Sequence, residues 1–170
     1  LTYKSDKNKD LVYRRKCHID LLQFVSRNNS IEMHMKLIQT LANYTIHTDM
    51  KRDIYRIGID KILEIANRDI NHTELQVNTC RFLRNFSKPN RYDLDYIRSS
   101  ENLERQKLVV SKGGIKYLIT LMSMYYKKRE IANNIAGSFG NLTYDNYEIT
   151  TVFVKENYAL MNKFITMGIT

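Results

Sequence analysis

Four histidines, two cysteines and one Gly-Gly pair are the positions in this 170-residue chain whose chemistry could reach beyond packing. His18, His34, His47 and His72 share no metal-ligand spacing, and no HExxH occurs. His47-Thr48-Asp49 is too short and isolated to define an acid–base or metal site, and His34, near Glu32 and Met35, falls inside a helical pattern as a packed or groove-edge residue. Cys17 and Cys80 form neither a CxxC knuckle nor a disulfide framework; both sit at helical core offsets and read as small buried apolar groups in a reducing compartment. Gly113-Gly114 belongs to neither of the glycine-rich phosphate patterns. The expectation is a chain that is not an enzyme, with no catalytic residues, cofactor, metal or small-molecule substrate.

The polar side chains that do recur at fixed spacing are amides and carboxylates. Asn43-Tyr44-Thr45, Asn85-Phe86-Ser87 and Asn141-Leu142-Thr143 close three similar stretches, the asparagines standing 42 and then 56 residues apart. Eleven residues before each Asn stand Glu32, Glu74 and Glu130; ten before stand Met33, Leu75 and Ile131; two before stand Leu41, Leu83 and Phe139. Five before are Ile38, Cys80 and Ala136, all suited to a buried seam. Several matching columns over three copies mark an internal repeat. The three endings also fit the glycosylation pattern, as do Asn28-Asn29-Ser30 and Asn71-His72-Thr73, but the repeat already explains them and in a cytosolic chain they read as coincidences.

Helical periodicity is what would position these columns. Residues 31–45 carry Ile31, Met35, Ile38 and Ala42 at 3.6 spacing, with Leu37, Leu41 and Tyr44 beside them; residues 73–87 carry Leu75, Thr79, Phe82, Leu83 and Phe86; residues 129–143 carry Ile131, Ile135, Phe139 and Leu142. Thr73 and Glu74 suit a first helical turn. Shorter amphipathic segments sit at 19–25, 59–65, 115–122 and 158–165, with Gly58, Gly113-Gly114 and Asn157 in the left-handed cap position before three of them. Each unit reads as short helix, turn, second helix, short turn, long third helix, over approximately 11–45, 46–87 and 88–143, with 144–170 partial. The longer third step marks a 14-residue insertion near 88–104, which holds the only proline, Pro89. Tyr92, Leu94, Tyr96 and Ile97 there suit an extra helical turn or a docked loop, either functional or a neutral elaboration.

With 43% apolar residues, one Pro and six Gly, the chain can bury a core, which disfavours collagenous, linker-type and wholly disordered readings. Lys+Arg 27 against Asp+Glu 18 gives +9, an excess that leans toward the N-terminal third and favours an acidic partner or an anionic surface. Arg14-Arg15-Lys16 and Lys127-Lys128-Arg129 are short basic clusters, and 12 tyrosines with 6 phenylalanines offer rings for stacking on bases. Phe82, Phe86, Phe139 and Tyr44 sit at core offsets, however, and Lys127–Arg129 falls in a turn where solvated charge is normal. Nucleic-acid docking through a basic surface therefore ranks behind protein binding. No apolar run approaches the roughly 20 residues of a membrane span. The opening at Leu1 without an initiator Met reads as a piece of a longer protein.

The stretches GGIKYLITLM (113–122), IANNIAGSFGNLT (131–143), IGIDKILEIA (57–66), LIQTLANYT (37–45) and VNTCRFLRNFS (77–87) resemble armadillo repeats, over roughly residues 11–168. HEAT-type helical repeats are the neighbouring pattern. The resemblance implies an all-α, right-handed superhelical solenoid of about four three-helix repeats, the terminal ones incomplete, whose third helices line a concave groove. In armadillo proteins that hold extended peptides the third-helix Asn bonds the peptide backbone, which carries that role to Asn43, Asn85 and Asn141. A carboxamide suits it because it donates and accepts at once. Importin-like members have Trp four residues earlier; this chain has Gln39, Arg81 and Gly137 there and no Trp, which argues against a nuclear-import receptor. Further groove positions implied are Lys36, Asn78 and Asn134, then Glu32, Glu74 and Glu130, a mixed polar floor with a modest positive bias from Arg81 and Lys36. An Asn near a helix end also closes local hydrogen bonds or ties repeats together, and both accounts stay open.

Elementary energetics point the same way. Short helices with one apolar face are marginal alone, and stacked units cover each other's faces. Incomplete end units call for more repeats, a cap or a partner. The expectation is a protein–protein interaction module of a cytoplasmic or nuclear compartment, holding an extended or helical segment in its groove, the partner being a peptide segment or a neighbouring subunit. The alternative is a structural section of a larger scaffold or of a cytoskeletal or ciliary assembly, contacted through its ends or convex side.

Overall fold

A computed structural model describes residues 6–27, 30–46, 48–57, 59–89, 100–155 and 162 of the chain. Every regular element among them is helical: α1 (Asp6–Arg14), α2 (Cys17–Arg27), α3 (Ile31–Tyr44), α4 (Thr48–Ile57), α5 (Asp60–Arg68), α6 (Thr73–Ser87), α7 (Ser100–Ser111), α8 (Gly114–Tyr125) and α9 (Arg129–Thr143). A further helical stretch follows at 147–155. Two of the long helices, α3 and α6, start where a side chain serves an unpaired N–H group of the first turn, whereas α5, α8 and α9 begin without a side-chain cap. Ser30 caps α3, its hydroxyl accepting from the Met33 N–H at 3.4 Å. At α6 the cap is His72, whose Nδ1 accepts from the Leu75 N–H at 3.4 Å, and Thr73 and Glu74 are the first two helical residues.

Helices three apart in sequence pack on one another. The α3–α6 and α6–α9 contacts are the most extensive, and α2 meets α5, α5 meets α8, and α4 meets α7. The result is an all-α architecture with a packing period of three helices. Its apolar stripes merge into one core in which Ile38, Leu41, Leu75, Phe82, Leu83, Phe86, Ile131, Ile135 and Leu142 are fully buried beside Ile62, Ile65, Leu118 and Leu121. Burying side chains of that size stabilises by about 1.5–3 kcal/mol each, before the cost of ordering the chain. Tyr44 and Phe139 join them, so the aromatics at core offsets serve packing. His34 is fully buried, with its Nδ1 3.5 Å from Arg68 Nη2.

Place in the stack overrides sequence pattern at both ends. Ile38, Cys80 and Ala136 align as one buried seam by spacing. Ile38 and Cys80 are fully buried, but Ala136 is exposed, because among the described residues no further long helix packs on that side of α9. Met33 shows the converse. Leu75 and Ile131 in its column are fully buried, whereas Met33 is 40% exposed, since among the described residues no long helix precedes α3 in the stack. Cys17 also departs from its expected burial: it opens α2 and is only partly covered. Burial pushes the Cys80 thiol up, which keeps it protonated and unreactive.

Gly113 adopts φ +80° between α7 and α8, the left-handed geometry expected of it. Gly114 lies so close to the Val109 side chain and carbonyl that a Cβ would collide with both. Gly58 and Asn157 lie outside the described residues. So do residues 90–99, and with them Tyr92, Leu94, Tyr96 and Ile97 of the expected insertion; residues 100–104 form the first turn of α7.

Candidate interaction surface

The long helices α3, α6 and α9 carry the recurring amides, and two of these amides tie one helix to the next. Asn85 Nδ2 donates to the Ala42 carbonyl at 2.8 Å, and Asn141 Nδ2 donates to the Arg84 carbonyl at 2.7 Å. Each acceptor is the residue immediately before the preceding Asn of the series. Both acceptors lie in the last turn of their helix, where carbonyls run short of intrahelical partners. The rung thus satisfies a helix end and fixes the register of two helices in one bond. Arg81 Nη2 approaches Asn43 Oδ1 at 3.5 Å, and Arg84 Nη1 approaches Asn134 Oδ1 at the same distance.

Around this ladder the residues singled out by spacing divide by exposure. Glu32, Glu74 and Glu130 are all exposed, one in the first turn of each long helix, where the helix dipole favours a carboxylate. Lys36 is exposed, and Gln39, Arg81 and Gly137 are partly covered, as are Asn43, Asn85 and Asn141. Asn78 and Asn134 are 4% and 8% exposed, closed in between neighbouring helices. The exposed charges on these helices are therefore the carboxylates at the helix starts and, further along, Lys36 and Arg84, with Arg81 partly covered. Arg84 was not among the residues spacing singled out. Its guanidinium crosses α9 over Gly137, where a Cβ would run into Arg84 Nε. The Gly at that column, where its counterparts are Gln39 and Arg81, was the signal.

Sequence reasoning also missed a set of buried polar clamps. Gln106 of α7 donates through Nε2 to the carbonyls of Asn141 and Tyr144 at 2.9 and 3.0 Å, and its Oε1 accepts from Asn146 Nδ2 at 3.0 Å. Lys51 of α4 does the same for α6, its Nζ donating to the Lys88 carbonyl at 2.7 Å. Lys88 and Tyr144 stand at the same place after Asn85 and Asn141, so the clamp repeats with the ladder. Burial, then the charges of Arg105 and Lys88, hold the Lys51 ammonium down to about 7. Gln76 of α6 donates to the carbonyls of Ala66 and Asp69 at 3.1 and 3.0 Å, while its Oε1 accepts from the Tyr117 hydroxyl.

Elsewhere, α4 and α7 enclose a cleft of about 220 Å³ lined by Arg52, Tyr55, Arg56, Ser100, Glu101, Glu104 and Arg105. Arg52 spans it in a fork to Glu101, with Nε and Nη2 donating at 3.1 and 3.3 Å. His18 of α2 is fully buried with Nε2 2.9 Å from Asp53 Oδ2 of α4. Arg14, Arg15 and Lys16 are exposed at the end of α1, and Lys127, Lys128 and Arg129 at the start of α9. Among the described residues no group of three His, Cys, Asp or Glu side chains is placed to hold a metal, and no helix is long and apolar enough to cross a membrane. No family model, curated protein or solved structure matches the chain.

Proposed function

We propose that this chain is a non-enzymatic protein-interaction module of the armadillo type, a right-handed solenoid that holds a partner segment along the α3–α6–α9 face. The observation that supports this reading is the register of the ladder. Two identical amide-to-carbonyl rungs keep three long helices side by side, so that Glu32, Glu74 and Glu130 form one exposed row and Lys36, Arg81 and Arg84 a second of opposite sign. Long helices pack about 8–10 Å apart, so an extended segment at ~3.3 Å per residue meets an equivalent position about every third residue. The amide nitrogens of Asn85 and Asn141 are used within the stack, and Asn78 and Asn134 are buried. Recognition on this reading falls to the charged rows and Gln39, with the asparagines setting the spacing. A partner carrying both signs of charge fits the floor better than a uniformly acidic one.

The test is affinity capture with the 170-residue chain and with two charge-altered forms. Lys36→Glu with Glu74→Lys alters the floor without touching a rung; Lys116→Glu, exposed on α8, is the control. Loss of captured partners in the first form and retention in the second supports the groove. The opposite pattern supports a structural section bound by other surfaces.

A further inference from the structure

Arg81 and Arg84 stand one turn apart on α6 and lean toward opposite neighbours. Arg81 Nη2 lies 3.5 Å from Asn43 Oδ1 on α3, and Arg84 Nη1 lies 3.5 Å from Asn134 Oδ1 on α9. A carboxamide oxygen at that distance is a weak, neutral partner for a guanidinium, which has five N–H donors and takes a carboxylate through two parallel bonds. Arg52, Arg56 and Arg68 do reach carboxylates, at 3.1, 3.9 and 3.0 Å. Arg81 and Arg84 pair with none among the described residues, and Arg81 Nε is enclosed without a hydrogen-bond partner. Each guanidinium thus marks one furrow of the face, Arg81 between α3 and α6 and Arg84 between α6 and α9. Gly137 keeps the second furrow open, because Arg84 Nε lies where a Cβ on α9 would intrude. The Asn85 and Asn141 rungs fix the helices side by side, so the two furrows are set about one helix spacing apart, roughly 8–10 Å.

We infer, resting on the groove reading, that the partner segment presents two carboxylate side chains three positions apart in polyproline II conformation, one to Arg81 and one to Arg84. With three residues per turn and a rise of about 3.1 Å, that helix puts residues i and i+3 on one side about 9 Å apart, the spacing of the two furrows. A flat strand turns i and i+3 to opposite sides, and its i and i+2 stand only about 6.6 Å apart. The chain does not supply such a pair from its own remaining length. Outside the described residues its carboxylate side chains are Asp93, Asp95 and Glu156, and no two of these stand three apart. The acidic pair therefore comes from a partner protein.

The probes are three blocked peptides, PPDPPDPP, PPPDPDPP and PPKPPKPP, the first two of one composition with their acids three and two positions apart. Titrated into the isotopically labelled 170-residue chain, PPDPPDPP should shift the side-chain Nε–Hε signals of both Arg81 and Arg84, with a Kd on the order of 1 mM that weakens as salt is added. PPPDPDPP should bind about fivefold more weakly, since it reaches one guanidinium at a time, and PPKPPKPP should leave both signals in place. Arg84→Gln should weaken PPDPPDPP about tenfold and remove its advantage over PPPDPDPP. Equal affinity for the two acid spacings, no shift of either arginine up to about 5 mM, or binding indifferent to Arg84→Gln overturns the inference. Affinity capture with Arg81→Gln and Arg84→Gln combined separates it from the groove reading. Partners kept by that form but lost with Lys36→Glu and Glu74→Lys would sink the acidic pair and leave the groove standing; partners kept by both forms would sink both.

Discussion

Asn141 Nδ2 stands 2.7 Å from the carbonyl oxygen of Arg84, and Asn85 Nδ2 stands 2.8 Å from that of Ala42. The two bonds make one relationship stated twice, and their removal should have matching consequences. Asn85→Ala should cost about 1 kcal/mol, the value of a partly buried hydrogen bond whose acceptor keeps a second donor in the Thr45 hydroxyl at 2.9 Å. Asn85→Asp should cost more than Asn85→Ala at neutral pH, because its carboxylate would face the Ala42 carbonyl. Urea unfolding of the pair checks the order; Asp as stable as Ala would mean that the rung is loose in solution.

Gln106 is itself fully buried and serves three partners at once, so Gln106→Leu should be among the most damaging single changes in the chain. Two carbonyls and the Asn146 amide would lose their bonds, at roughly 2–4 kcal/mol in all. Gln106→Glu should be damaging as well, since a carboxylate cannot donate to the Asn141 and Tyr144 carbonyls. Thermal unfolding of both variants is the measurement.

Lys51 gives the fold a pH dependence of known sign. Its side chain is 2% exposed, and burial holds its pKa to about 7 against the usual 10.5. Between these values the unfolded chain binds the extra proton, so stability rises with pH from about 7 to about 10.5 and the full penalty applies below 7. The gain should be on the order of a few kcal/mol between pH 6.5 and 9.5. Lys51→Met should flatten that rise, and its stability relative to the parent should be most favourable at the acid end. Urea midpoints across the range test this; parallel curves for parent and variant would refute it.

Gly137 and Arg84 form a coupled pair. Gly137→Ala gains helix propensity of about 1 kcal/mol but drives a Cβ into the Arg84 side chain, so alone it should be nearly neutral. With Arg84→Ala already in place, the same change should stabilise by about 0.5–1 kcal/mol. A double-mutant cycle reads the difference directly.

Much of this was legible in the sequence because the signals are local. Helix periods place Leu75, Phe82, Leu83 and Phe86 on one side of a cylinder, and the Asn columns mark where each long helix ends. What periodicity cannot say is which neighbour a side chain meets. Ala136 and Ile38 occupy the same column, yet one is solvated and the other buried, since burial depends on the next helix in space. The clamps of Lys51 and Gln106 were hidden for a similar reason: a polar residue on a short amphipathic helix looks solvent-facing until the end of another helix is found above it. The rungs were half visible. Spacing found Asn85 and Asn141, but only coordinates show that their donors turn toward Ala42 and Arg84.

The double-sided packing of α6, held by α3 on one side and α9 on the other, has a kinetic corollary. A stack joined only through neighbours frays from its extremities, and its middle opens last. Amide protons of residues 79–83 should therefore exchange with deuterium more slowly than those at the matching depth in α3 or α9. The long helix at the centre would act as the clock for release of the whole array.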